Sequence, residues 1–84
     1  MIAPLPSIPS GPKTVVVSLH RDAVADIAHQ ASLYARHAVE YAALRDDRGL
    51  MRSLRLLTIC AAHAAEALPG FAEAVAESEE EARR

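Results

Sequence analysis

The chain has 84 residues, a formal net charge of −2 and a single cysteine. A chain this short buries only roughly 60–65% of its unfolded surface, so its core needs support from a disulfide, a metal or a partner chain. One cysteine excludes an internal disulfide and fits a reducing, cytoplasmic setting. The acidic balance argues against nucleic acid as a partner, and no apolar run reaches the roughly 18 residues that span a membrane.

The N-terminal residues 1–13 are rich in proline. Proline fixes φ and keeps the preceding residue out of the α region, so we expect an extended arm here. A helical domain is expected over residues 14–76, and a charged tail over residues 77–84. The organisation is therefore one small domain with an appendage at each end.

Residues 14–19 have the alternation of β-branched side chains that is typical of a strand. A lone strand is unstable, so this one would pair with its copy in another chain through Val15 and Val17. The run Thr14-Val-Val-Val-Ser-Leu19, followed by Asp22-Ala-Val-Ala-Asp-Ile27, is similar to the opening of ribbon-helix-helix repressors. This resemblance implies a dimer whose paired strands enter the DNA major groove, and it makes a DNA-binding regulator one alternative function.

The first helix is expected to begin near His20 and to carry a heptad seam, meaning the apolar residues that face a second helix. The seam consists of Val24, Ile27, Ala31, Tyr34, Ala38 and Tyr41. Beside it, Ala28, Ala35 and Ala42 recur at intervals of seven, which favours close approach of another helix backbone.

A turn at residues 46–49, ending in Gly49, predicts that a second helix runs back antiparallel to the first. Its predicted seam is Leu50, Leu54, Leu57, Ala61, Ala64 and Leu68. Pro69 is expected to end this helix near Ala67 and to begin a short third helix, because an interior proline costs about 3 kcal/mol.

The second helix is apolar on more than one face, which is typical of the central helix of a bundle. A two-helix hairpin leaves the second face open, so we expect a homodimer that forms a four-helix bundle. The predicted interface residues are Leu56, Ile59, Cys60, Met51, Val15 and Val17. The predicted fold is all-α: an antiparallel helical hairpin with a short third helix, preceded by an extended arm or strand.

Histidine and glutamate residues make a metal-binding bundle a second alternative. His37 and Glu40 are three residues apart and share a helix face, as do His63 and Glu66, and the turn brings His29 level with the second pair. Such side chains bind iron or zinc. Histidine at an exposed helix position is more often simply a polar residue, and no other cofactor is expected.

Four arginines gather at the tip of the predicted hairpin: Arg45, Arg48, Arg52 and Arg55. They suit a phosphate or an acidic group on a larger protein, or the acidic tail of a neighbouring chain. No convergent set of catalytic residues is evident. The sequence therefore favours a non-enzymatic interaction module, in the role of an accessory or regulatory subunit.

Overall fold

The computed structural model describes residues 12–84, which form two helices joined by a short turn. Helix α1 spans Pro12–Ala43 and helix α2 spans Asp47–Ala82. The helices pack against each other, so the predicted all-helical hairpin is confirmed. The described residues contain no strand, and neither helix is long and apolar enough to cross a membrane.

Helix α1 begins at Pro12 instead of near His20. Proline is tolerated there because its φ suits the first helical position. The strand predicted for residues 14–19, with its pairing through Val15 and Val17, is wrong, since these residues are helical. Val17 is only 5% exposed, so burial against α2 outweighs the strand preference of the valines. Residues 1–11 of the predicted arm lie outside the described residues.

The seam predicted for α1 is confirmed. Ala38 is buried and the other five seam residues are half-buried. The seam also continues one heptad further towards the N-terminus than predicted, through His20 and Val17. Helix α1 therefore presents one continuous apolar stripe to α2, with an imidazole near its open end.

The turn between the helices occupies residues 44–46, upstream of its predicted position. Arg45 has a φ of 58°, and the amide of Asp46 donates a hydrogen bond to the carbonyl of Tyr41 at 2.9 Å. These features define a Schellman motif that ends α1. The carboxylate of Asp46 then caps α2 by accepting from the amide of Gly49 at 3.0 Å, so the glycine lies in the first turn of the helix and not in the loop.

Helix α2 continues through Pro69 to Ala82. The predicted end near Ala67 and the separate third helix are therefore wrong. Beyond the proline, Phe71 and Ala74 still lie on the inward side, half-buried and buried respectively. Full burial of a phenylalanine side chain stabilises by roughly 1.5–3 kcal/mol, so the partial burial of Phe71 offsets part of the cost of about 3 kcal/mol of the interior proline.

The inward face of α2 differs by one residue position from the predicted seam. Leu50, Leu57 and Ala64 are half-buried as predicted. Leu54, Ala61 and Leu68, however, are exposed, and the inward positions belong to Ser53, Cys60 and Ala67. The prediction was wrong for those three residues by about 100°, the rotation between consecutive residues of a helix.

Two glycines of α2 lie against larger side chains of α1, and these contacts define the register of the two helices. A Cβ atom on Gly49 would lie 2.5 Å from Cδ1 of Tyr41, and one on Gly70 would lie 3.4 Å from Cε1 of His20. The two residue numbers add up to 90 in both pairs. Each residue of α1 is therefore level with the residue of α2 for which the two residue numbers add up to 90.

Candidate interaction surface

The hairpin has almost no closed core. Every described leucine, isoleucine, phenylalanine and tyrosine keeps part of its surface exposed. Six of the 73 described residues are buried, namely Val17, Ala38, Gly49, Ser53, Cys60 and Ala74. Because two helices cover only one side of each other, much apolar surface stays open.

Helix α2 carries a second heptad stripe beside its inward face. The stripe is Met51, Leu54, Thr58, Ala61, Ala65, Leu68, Ala72 and Val75. None of these residues is charged, and all are exposed except the half-buried Val75; Leu68 is 61% exposed. Leu54, Ala61 and Leu68, which the sequence had placed in the seam, thus belong to a coherent outer stripe.

Helix α1 carries a matching stripe of small, uncharged residues: Ala25, Ala28, Ser32, Ala35, Val39 and Ala42. All are exposed except the half-buried Ala35, and Val39 is 71% exposed. The alanine column noted in the sequence therefore lies mostly outside the contact between α1 and α2.

Both stripes lie on the same side of the hairpin. Around each helix, the stripe is reached from the inward face by a rotation of roughly 100° in the direction of increasing residue number. Because two right-handed helices run antiparallel, that rotation leads to the same side for both. Val39 is level with Met51, and Ala25 is level with Ala65. We call the two stripes together the uncharged face.

The hydroxyl groups of the uncharged face are satisfied within their own helices. Oγ of Ser32 donates to the carbonyl of His29 at 2.7 Å, and Oγ1 of Thr58 donates to the carbonyl of Leu54 at 2.9 Å. Leaving a buried donor unpaired costs about 1–3 kcal/mol. Covering this face would therefore leave neither hydroxyl proton without a partner.

The predicted interface residues do not share one surface. Cys60 is buried inside the hairpin, as is Val17, and Leu56 is half-buried. An interface that includes Cys60 and Val17 would require the hairpin to open. Val15 is exposed near the start of α1, and Met51 lies on the uncharged face. Ile59 is 51% exposed and is rotated from the uncharged face by roughly 120°, onto the other side of the hairpin.

The predicted metal ligands are all exposed and spread over both helices: His29, His37, Glu40, His63 and Glu66. Within residues 12–84, no three histidine, cysteine, aspartate or glutamate side chains come together as a metal site. The ring of His37 instead packs edge-on against Tyr34, with centroids 6.4 Å apart and planes at 70°. The geometry adds no support to the metal hypothesis.

Charge is distributed unevenly along the hairpin. The turn half, residues 28–62, has five arginines and three carboxylates, a net charge of +2. The open half, residues 12–27 and 63–84, has four basic and eight acidic residues, a net charge of −4. The predicted tip arginines are all exposed in the turn half.

Two ion pairs form within the C-terminal residues of the chain. Arg83 lies 3.9 Å from Glu79, and Arg84 lies 3.2 Å from Glu80. Both pairs are exposed, so each contributes only a few tenths of a kcal/mol. They leave the acidic character of the open half unchanged.

The fold and its surface define a two-helix hairpin with one open, uncharged side and charges of opposite sign at its two ends. No family model, curated protein or solved structure matches this chain.

Proposed function

We propose that this chain is a non-enzymatic helical module for self-association and protein–protein interaction. The observation that supports this function best is the uncharged face, which extends along most of a hairpin that buries few of its larger apolar side chains. Large contiguous apolar patches on proteins typically mark interaction sites. A second hairpin on this face would complete a four-helix bundle.

The tip arginines support an accessory or regulatory role for the resulting homodimer. By their helical positions, Arg48, Arg52 and Arg55 lie outside the uncharged face, on its flank and beyond, so they keep contact with water when that face is covered. Guanidinium groups bind carboxylates and phosphates with two parallel hydrogen bonds. An acidic segment of a larger protein is the partner that fits this end.

The ribbon-helix-helix alternative requires a strand at residues 14–19. These residues are helical, so no structural observation favours DNA binding.

Sedimentation equilibrium of the full chain tests the proposal. We expect a mass of twice 9.0 kDa at micromolar concentration. Thermal unfolding followed by circular dichroism should shift to higher temperature as the protein concentration rises, because mass action stabilises an oligomer. A 9.0 kDa species that unfolds cooperatively at a concentration-independent temperature would contradict self-association.

A further inference from the structure

We infer that the uncharged face binds a second copy of this chain in the antiparallel direction, with the turn end of one hairpin over the open end of the other. This inference rests on the proposed function and deepens it, since it names the occupant of the face and its direction.

The size of the uncharged face suits a dimer interface. From residue 51 to residue 75 the helix rises about 36 Å, at about 1.5 Å per residue. Two helices packed 8–10 Å apart present a side roughly 20 Å wide once side chains are included. The footprint is therefore roughly 700 Å², close to the roughly 800 Å² per partner of a standard stable interface.

The charge distribution selects the antiparallel direction. In that arrangement each turn half, with net charge +2, lies over an open half of net charge −4. In the same-direction arrangement, halves of like charge would lie over each other at both ends. Complementary potentials fix the register of an interface, and juxtaposed like charges oppose it. The charges lie on the flanks of the uncharged face, so they guide the direction without being buried.

The side chains of the α2 stripe also match in this direction. A two-fold axis midway between Ala61 and Ala65 places the two leucines of the stripe against smaller residues and two alanines against each other. Along the stripe, the pairs are Ala61 with the partner's Ala65, Thr58 with the partner's Leu68, Leu54 with the partner's Ala72, and Met51 with the partner's Val75. Pairing of a large side chain with a smaller one favours close packing of helices, and the alanines at the axis allow the helices to approach closely.

The same axis brings Arg21 of α1 close to the partner's Ser32. Arg21 is the first charged residue beyond the uncharged face, one turn before Ala25. Its aliphatic stem can lie along the interface while the guanidinium reaches water at the edge. No carboxylate is brought into the centre of the contact.

Distance measurements between spin labels test the direction. The label is attached to Leu44→Cys, whose native side chain is 74% exposed in the turn, in a Cys60→Ala background that removes the native thiol. The turn lies about 17 residues along the helix from the axis, so the antiparallel dimer should give a distance of about 50 Å between the two labels. A same-direction dimer should give less than about 25 Å, because its two turns would be adjacent.

A label on Ala62→Cys in the same background is the matched control. This residue is exposed and lies level with the axis. Its two labels should therefore be within about 25 Å of each other in both the antiparallel and the same-direction dimer. A short distance at Leu44→Cys would overturn the inferred direction and leave self-association standing. A long distance at Ala62→Cys would overturn the uncharged face as the contact. Loss of dipolar coupling at both positions, in a chain of monomeric mass, would overturn both the inference and the proposed function.

Discussion

Replacing Gly49 by alanine is expected to lower the free energy of unfolding by about 1–2 kcal/mol. Alanine ordinarily stabilises a helix interior by up to about 1 kcal/mol relative to glycine. Here the added Cβ would lie 2.5 Å from Cδ1 and 2.7 Å from Cγ of Tyr41, and Cγ is the ring atom nearest the backbone. Overpacking of this kind typically costs 1–3 kcal/mol. Denaturant unfolding at one fixed protein concentration measures the change.

Gly70→Ala is the control for Gly49→Ala. Its added Cβ would make an ordinary contact of 3.4 Å with His20, so we expect a gain of about 0.5–1 kcal/mol. In a Tyr41→Ala background the ring is gone, and the cost of Gly49→Ala should disappear; the double-mutant cycle isolates the contact. Equal or higher stability of Gly49→Ala in the native background would contradict the close packing of Tyr41 on this glycine.

Replacing Pro69 by alanine is expected to raise the free energy of unfolding by up to about 3 kcal/mol. Pro69 is exposed inside the continuous helix α2. It has no N–H to donate to the carbonyl of Ala65, four residues earlier, and its ring crowds that carbonyl. Alanine restores the hydrogen bond and removes the crowding, so the midpoint of denaturant unfolding should rise with little change in its slope.

The reverse substitution one heptad earlier is the control for Pro69→Ala. Ala62 is exposed on the same side of α2 as Pro69, and Ala62→Pro should lower the free energy of unfolding by about 3 kcal/mol. If Pro69→Ala were instead destabilising, the path of α2 across α1 would depend on a bend at the proline.

The sequence predicted the inward face of α1 because only one of its stripes combines apolar character with bulk. Tyr34, Tyr41 and Ile27 recur at heptad spacing, and charged residues occupy the opposite side. The most hydrophobic side of α1 is also the side that packs against α2, so the periodicity of the sequence alone was enough to predict it. The alternating valines led to a wrong prediction at the start of this helix. Strand preference is a local property of the sequence, whereas the burial of Val17 depends on the packing of α2 against it.

The inward face of α2 could not be chosen in the same way, because this helix has two uncharged stripes side by side. The stripe with Leu54 and Leu68 is the more hydrophobic, and hydrophobicity favoured it. Packing instead placed Ser53 and Cys60 inward, in the register that puts Gly49 under the ring of Tyr41, where no larger residue has room. That requirement becomes visible only when both helices are aligned in register, with Tyr41 against Gly49.

Pro69 shows a further limit of local rules. Its intrinsic cost predicts a helix end, and the Gly70 that follows strengthens the expectation. The helix nevertheless continues, since Phe71 and Ala74 extend the inward face along α1. The exposed stripe of α2 was predictable as an excess of apolar residues on the second helix, but apart from Met51 its residues were not, because they depend on which stripe is left outside.

The most direct test of whether the uncharged face is the dimer contact compares the masses in solution of two glutamate variants. Ala61 and Ile59 are both exposed in the hairpin, so neither Ala61→Glu nor Ile59→Glu disturbs its packing. Glutamate at residue 61 would put an unpaired charge at the centre of the dimer contact, whereas residue 59 lies on the other side. Burying an unpaired charge costs about 3–5 kcal/mol, so dissociation should become easier by at least about 100-fold.

Sedimentation equilibrium at micromolar concentration should therefore find Ala61→Glu as a 9.0 kDa monomer and Ile59→Glu as a dimer like the unmodified chain. A dimeric Ala61→Glu beside a monomeric Ile59→Glu would contradict the account and place the contact on the opposite side of the hairpin.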